Sequence, residues 1–161
     1  MPSVPVPRTV ATVATVADVE VAVTDLVRLL NRPWFARRLM AEANVSIEVG
    51  ASWALARLDR LGPSRPSDLA TSLGVDASTI THRVQALERA GYVERVGDPA
   101  DGRASIVRLS PAGEGALTRI REARRALFEQ LLSTWSDADR ITFTALVERL
   151  TAALTEELGE S

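Results

Sequence analysis

Residues 66–113 read PSDLATSLGVDASTITHRVQALERAGYVERVGDPADGRASIVRLSPAG, and this stretch decides the fold. Pro66 suits the first turn of a helix, where its missing N–H has no partner to lose. Leu69, Ala70 and Leu73 then recur on one helical face, and Gly74 ends the run. Asp76 stands as the N-cap of a second helix. Its apolar residues Ile80, Val84 and Leu87 are spaced by four and three, so one face is buried, while Ser78, Thr79, His82 and Arg83 are expected to project from the rest. After Gly91 the period shortens to alternation. Residues 92–96 read as one strand and 104–109 as its partner, joined by the turn-forming Gly97-Asp98-Pro99-Ala100-Asp101-Gly102, with Arg103 exposed where the return strand begins. Two helices, a turn and an arginine-tipped hairpin make a winged helix-turn-helix, and a helix with a polar, hydrogen-bonding face fits the major groove of DNA.

The tract E-R-A-G-Y-V-E-R over 88–95, the wing motif Asp101-Gly102-Arg103 and the strand-to-helix exit V-R-L-S-P-A-G over 107–113 resemble the MarR family of bacterial winged-helix regulators. The resemblance spans roughly residues 20 to 158. It is strongest over 66–113 and rests on length and pattern alone in the flanking helices. It implies a homodimer whose recognition helices occupy successive major grooves, with each wing arginine, here Arg103, reaching into a minor groove. It also implies that Asp101 orients Arg103 by a charge-assisted bond; the bland reading is an ordinary turn aspartate.

Composition agrees with this reading without demanding it. At 161 residues the chain is long enough for a sizeable core in one domain or two tightly joined layers. All 19 basic residues are arginine, which points to a GC-rich genome before it points to any mechanism. The net charge of −2 excludes a polybasic protein that adheres to any phosphate. Charge is unevenly placed: residues 60–108 hold seven arginines against six acids, whereas residues 137–161 hold two against six, so the acid lies away from the DNA-reading region. No cysteine is present, which excludes disulfides, thiolate metal sites and a thiol-based oxidant sensor. No cofactor or metal is expected. The first twenty residues carry three prolines and no unbroken apolar run, so neither a membrane span nor a secretion signal is read there, and the expected setting is cytoplasmic.

The flanks read as helices. From Asp18, the stripe Val19, Val23, Leu26, Val27 and Leu30 runs to a break at Pro33, followed by a helix over 34–43. Ser46 is a candidate cap for a helix with the stripe Ile47, Ala51, Leu55, Leu58 and Leu61, ended by Gly62-Pro63. Ser110-Pro111 opens a long helix through Leu117, Ile120, Leu127 and Leu131. Ser136 with Asp139 forms a capping box for a last one carrying Phe143, Leu146, Val147, Leu150, Leu154 and Leu158. The two long helices are expected to form an antiparallel hairpin around a turn at 135–137, with more apolar surface than one winged helix buries, and that surplus calls for a second copy of the chain. The expected organisation is a flexible arm over 1–17, a helical dimerisation region over 18–45 and 110–161, and a winged helix-turn-helix over 46–109, mainly α with a small β-hairpin. An extended first helix over 10–27 is the alternative to the arm.

Each candidate contact has a bland counterpart. His82 is a base or phosphate contact or a surface helix residue, and without a second histidine or a nucleophile it is no catalyst. Arg83 is the stronger candidate, able to meet guanine bidentately or to grip a phosphate. Arg65 and Arg95 clamp phosphates or are solvated charges, and Ser67 and Thr79 cap helices or donate to phosphate. For a small aromatic or anionic effector, Trp34, Phe35 and Arg38 near Pro33 and Trp53 off the main stripe of its helix are the candidates, with core packing as their ordinary explanation. The competing function is a winged-helix module that binds protein instead of DNA, and such a module has little reason to keep an arginine-bearing polar face beside Asp101-Gly102-Arg103. An enzyme is disfavoured by the single histidine, the absence of cysteine, and the lack of a phosphate-binding glycine loop or metal-spaced ligands.

Overall fold

The computed structural model describes residues 14–159. Its elements run α1 (Val16–Leu30), α2 (Pro33–Glu42), α3 (Val49–Leu61), α4 (Pro66–Leu73), α5 (Ala77–Arg89), β1 (Val93–Asp98), β2 (Asp101–Leu109), α6 (Pro111–Leu131) and α7 (Asp137–Glu157). Residues 1–13, most of the expected arm, lie outside the described residues. Thr15 starts α1 through a capping box with Asp18, so the helix begins two residues before the expected boundary; residues 14–15 are not helical, and residues 10–13 of the alternative first helix lie outside the described residues.

The winged-helix core forms where α3, α4 and α5 meet the hairpin. Leu55, Leu58, Leu69, Ile80, Val84, Leu87 and Val107 are almost wholly buried, each burial contributing about 1.5–3 kcal/mol. Gly74 ends α4 in the left-handed region (φ 62°), which a side chain resists. A smaller cluster of Met40, Ala43, Val45 and Ala116 joins α2 and α6 to this core. Ser46 does not cap α3; Glu48, in extended backbone, holds the N-cap position without a side-chain bond, and residues 45–48 form no regular element.

In the hairpin, Val93 pairs Leu109, Arg95 pairs Val107 and Gly97 pairs Ser105. The register slips between Gly97 and Asp98, so that Asp98 faces Asp101 across Pro99-Ala100. The loop is therefore shorter than the six residues expected, and Arg103 lies in β2. Ser64, between α3 and α4, adds a backbone bridge to Val107, with N–H to O distances of 3.0 and 2.8 Å.

The expected antiparallel pairing of α6 with α7 is absent. α7 makes no extended contact with α6 or any other element, and none of its residues is buried. Trp135 and Phe143 meet edge to face at 5.2 Å beside the turn, and Arg140 donates to the carbonyl of Trp135 at 2.9 Å. Beyond that turn Phe143, Leu146, Val147, Leu150 and Leu154 stand exposed along one stripe. α1, also without a buried residue, exposes Val19, Leu26 and Val27. Among the described residues nothing covers these exposed faces, whatever their periodicity.

Candidate DNA-binding surface

α5 is built to present a polar face. Asp76 accepts the Thr79 N–H at 2.8 Å, the Thr79 hydroxyl at 2.7 Å and the Ser78 hydroxyl at 2.5 Å. The Ser78 hydroxyl, then the Thr79 N–H and hydroxyl, hold its carboxyl well below the ordinary carboxylate range. Ser78 and Thr79 thus secure the start of the helix, which limits what they donate outward. Opposite the buried Ile80, Val84 and Leu87, the exposed face comprises Ser78, Thr81, His82, Gln85 and Arg89. Gln85 and Arg89, absent from the sequence-based candidates, share this face with Ser78 and His82, at successive steps of four, three and four residues from Ser78.

Arg83 lies on the flank of that face and folds back toward α3. A Cβ built on Gly50 would stand 3.0 Å from Arg83 Nε and 3.4 Å from its Cζ, so the small residue at position 50 makes room for the guanidinium. His82 opens instead onto a groove between α5 and the α2–α3 connection, beside Arg37, Arg89 and Glu48.

The other candidates are placed one by one. Ser67 is exposed and does not cap α4, whose N-cap is Arg65; its hydroxyl donates to Asp68 at 3.3 Å. Arg95 is tied to Glu88 of α5 at 3.0 Å and reaches the Ser105 hydroxyl at 3.4 Å, which braces the hairpin on the helix. Arg65 is paired with Asp98 at 2.6 Å. Asp101 accepts the backbone N–H of Arg103 at 3.1 Å and does not bind its guanidinium, so it shapes the turn and leaves the arginine free. Arg103 is exposed on the wing. An exposed polar helix face beside an arginine-bearing hairpin is the arrangement that reads one groove with a helix and the next with a wing.

Comparison with known proteins agrees. The sequence model of the MarR family matches residues 53–105. The HTH-type transcriptional regulator YxaD of Bacillus subtilis (strain 168), itself uncharacterized, is 32% identical over 108 residues, which cover 67% of this chain and 76% of YxaD. The chain belongs to the MarR family. It is also 36% identical over 84 residues to a putative transcriptional regulatory protein for the hcr operon of Thauera aromatica, over about half of each chain (52% and 51%). The structure of a MarR family protein from Bacillus stearothermophilus superposes with a TM-score of 0.74 at 25% identity, covering 87% of this chain and 95% of that one. The members it matches are transcriptional regulators, not enzymes. Among the described residues no helix is long and apolar enough to cross a membrane, and no group of acids and histidine is placed to hold a metal ion.

The effector candidates do not converge. Trp53 lines a cleft of about 420 Å³ between α1, α2, α3 and α6, with Phe35, Met40, Ile120, Phe128 and the cation Arg124. Trp34 meets Phe35 in a T-shaped pair with centroids 5.9 Å apart, outside that lining, and Arg38 faces a different groove with Glu42 and Arg119. Arg124, which lines this cleft, was not among the sequence-based candidates: nothing local distinguishes it from the arginines beside it on α6.

Proposed function

We propose that this MarR-family chain works in the cytoplasm as a homodimeric repressor on a pseudopalindromic operator. Residues 46–109 form the DNA-reading part, and 18–45 with 110–161 form the dimerisation part. α5 enters the major groove through Ser78, His82 and Gln85, with Arg83 unfolding from its flank to join them, and Arg103 reaches the minor groove, where width and negative potential favour arginine. Ser67, exposed in the first turn of α4, is the candidate for a backbone-phosphate contact, whereas Arg95, tied to Glu88, braces the hairpin on α5. The observation that carries the reading is the pair of unpartnered apolar helices, α1 and α7, attached to a winged helix whose polar face is free. A second copy covers those helices and sets two recognition helices on one face of the duplex.

The cleft between α2, α3 and α6 suits a small aromatic acid, with Trp53 and Phe35 as walls and Arg124 as the partner of its carboxylate. Such a ligand would release DNA by binding better to the dimer whose recognition helices are misplaced for the operator. Selection of bound fragments from genomic DNA, together with light scattering of the free protein, tests the reading. The expected results are an inverted repeat and about twice the chain mass at micromolar concentration; a monomer bound to an asymmetric site would refute it. Deleting residues 137–161 should abolish both dimer and specific binding.

A further inference from the structure

The wing hairpin is only two strands, and its register slips between Gly97 and Asp98, so its tip lacks the regular ladder that would hold it. What meets the tip is Arg65, the residue before α4. Its Nε donates to Asp98 Oδ2 at 2.6 Å, its Nη2 stands 2.6 Å from the same oxygen, and Nη2 is also 4.0 Å from Asp101 Oδ2. The Asp98 side chain is 9% exposed, and its Oδ1 accepts the Ala100 N–H at 2.8 Å. Asp101 in turn accepts the Arg103 N–H. Arg65 is itself anchored one residue from the Ser64–Val107 backbone bridge. The Ala100 N–H and then the Arg65 guanidinium keep the Asp98 carboxyl below its ordinary range, so this knot stays charged at neutral pH.

We propose that Arg65 is a positioning residue of the wing: through Asp98 and Asp101 it fixes the turn from which Arg103 departs, and it does not itself grip a phosphate. The proposal rests on the reading of Arg103 as the minor-groove contact. Two of the guanidinium nitrogens are committed to a charge-assisted pair with a nearly covered carboxylate, and reaching a phosphate would break it. The energetic consequence has an unusual sign. Asp98→Asn removes a negative charge near a polyanion, which by electrostatics alone tightens binding. A strut requires the opposite, because the same change frees the tip.

The test compares Arg65→Gln, Asp98→Asn, the double variant and Arg103→Ala in operator binding by fluorescence anisotropy at several salt concentrations, each first shown to keep its helix content and mass. Arg65→Gln and Asp98→Asn should each weaken binding about threefold or more, and the double variant should be no weaker than either single one, as for residues coupled in one network. Both should flatten the salt dependence, as Arg103→Ala should. Without DNA, amide hydrogen exchange at residues 98–103 should be faster in both. Asp98→Asn binding as tightly as wild type or tighter, while Arg103→Ala is impaired, overturns the proposal and makes Arg65 a phosphate contact. Wild-type binding by Arg103→Ala removes the wing reading, and the proposal falls with it.

Discussion

Gly113, the third residue of α6, is the site where a single methyl group should do most damage. Its N–H is held by the Ser110 hydroxyl at 3.0 Å, and a Cβ there would lie 2.0 Å from the Tyr92 carbonyl oxygen and 3.0 Å from its carbon. Real Cβ atoms essentially never come within 3.0 Å, and the obstacle is backbone, so α6 must retreat from the root of the wing. That retreat loosens the Ser110 N–H bond to Tyr92 O (3.1 Å) and the Ser110 hydroxyl bond to Gly91 O (2.6 Å). Alanine gains about 1 kcal/mol over glycine in a helix, whereas overpacking costs about 1–3 kcal/mol and each of the two loosened, unbroken bonds about 0.5 kcal/mol, so Gly113→Ala should lose about 2 kcal/mol net. Gly115, two residues on, is the internal control. The nearest heavy atom to its added Cβ is Arg119 Nη1 at 3.6 Å, an ordinary contact, so Gly115→Ala should be stabilised by up to about 1 kcal/mol. Urea unfolding at one fixed protein concentration reads the difference; with a slope of about 2 kcal/mol per molar, Gly113→Ala should unfold about 1 M earlier than wild type. If Gly113→Ala unfolds at or above the wild-type midpoint, α6 does not seat against Tyr92 as described.

In the proposed dimer, half-site centres lie about 10 base pairs apart, and inserting about five base pairs between them should remove most specific affinity in a gel-shift titration; an unaffected complex contradicts two linked recognition helices. Gly50→Ala should leave the fold as stable or better, yet push Arg83 off α3. Selection on random DNA should then show a changed preference at one position per half-site, as should Arg83→Ala, and an unchanged preference in both excludes Arg83 as a base reader. Asp76, lowered from an ordinary 3.8 by the Ser78 and Thr79 bonds, stabilises the fold in full above about pH 5, and that contribution declines as pH falls toward its folded value. Urea midpoints between pH 3 and 7 should therefore fall on the acid side, and less steeply in Asp76→Asn; equal slopes would show that the cap is not formed.

The sequence alone determined whatever depends on neighbours within a turn or two. The period of Leu69, Ala70 and Leu73, the stop at Gly74, the Asp76 cap and the alternation after Gly91 are interactions at separations of two to four residues, and the folded chain keeps all of them. Helix starts without a capping bond were less legible: Ser46 looked like a cap, and α3 starts at Val49 behind Glu48. Side-chain partnerships distant in the chain were not legible at all. Arg65 meets Asp98 from 33 residues away, Arg119 meets the Ala43 carbonyl from 76, and Arg83 lies on Gly50, so arginines of equal promise as DNA contacts are sorted into braces and free cations only once helices and hairpin are assembled. The same holds for α7. Its apolar stripe is visible in the sequence, but a stripe states that something must cover it and not what, and only the tertiary structure shows that α6 does not, because the turn after Leu131 carries α7 away from the body of the chain.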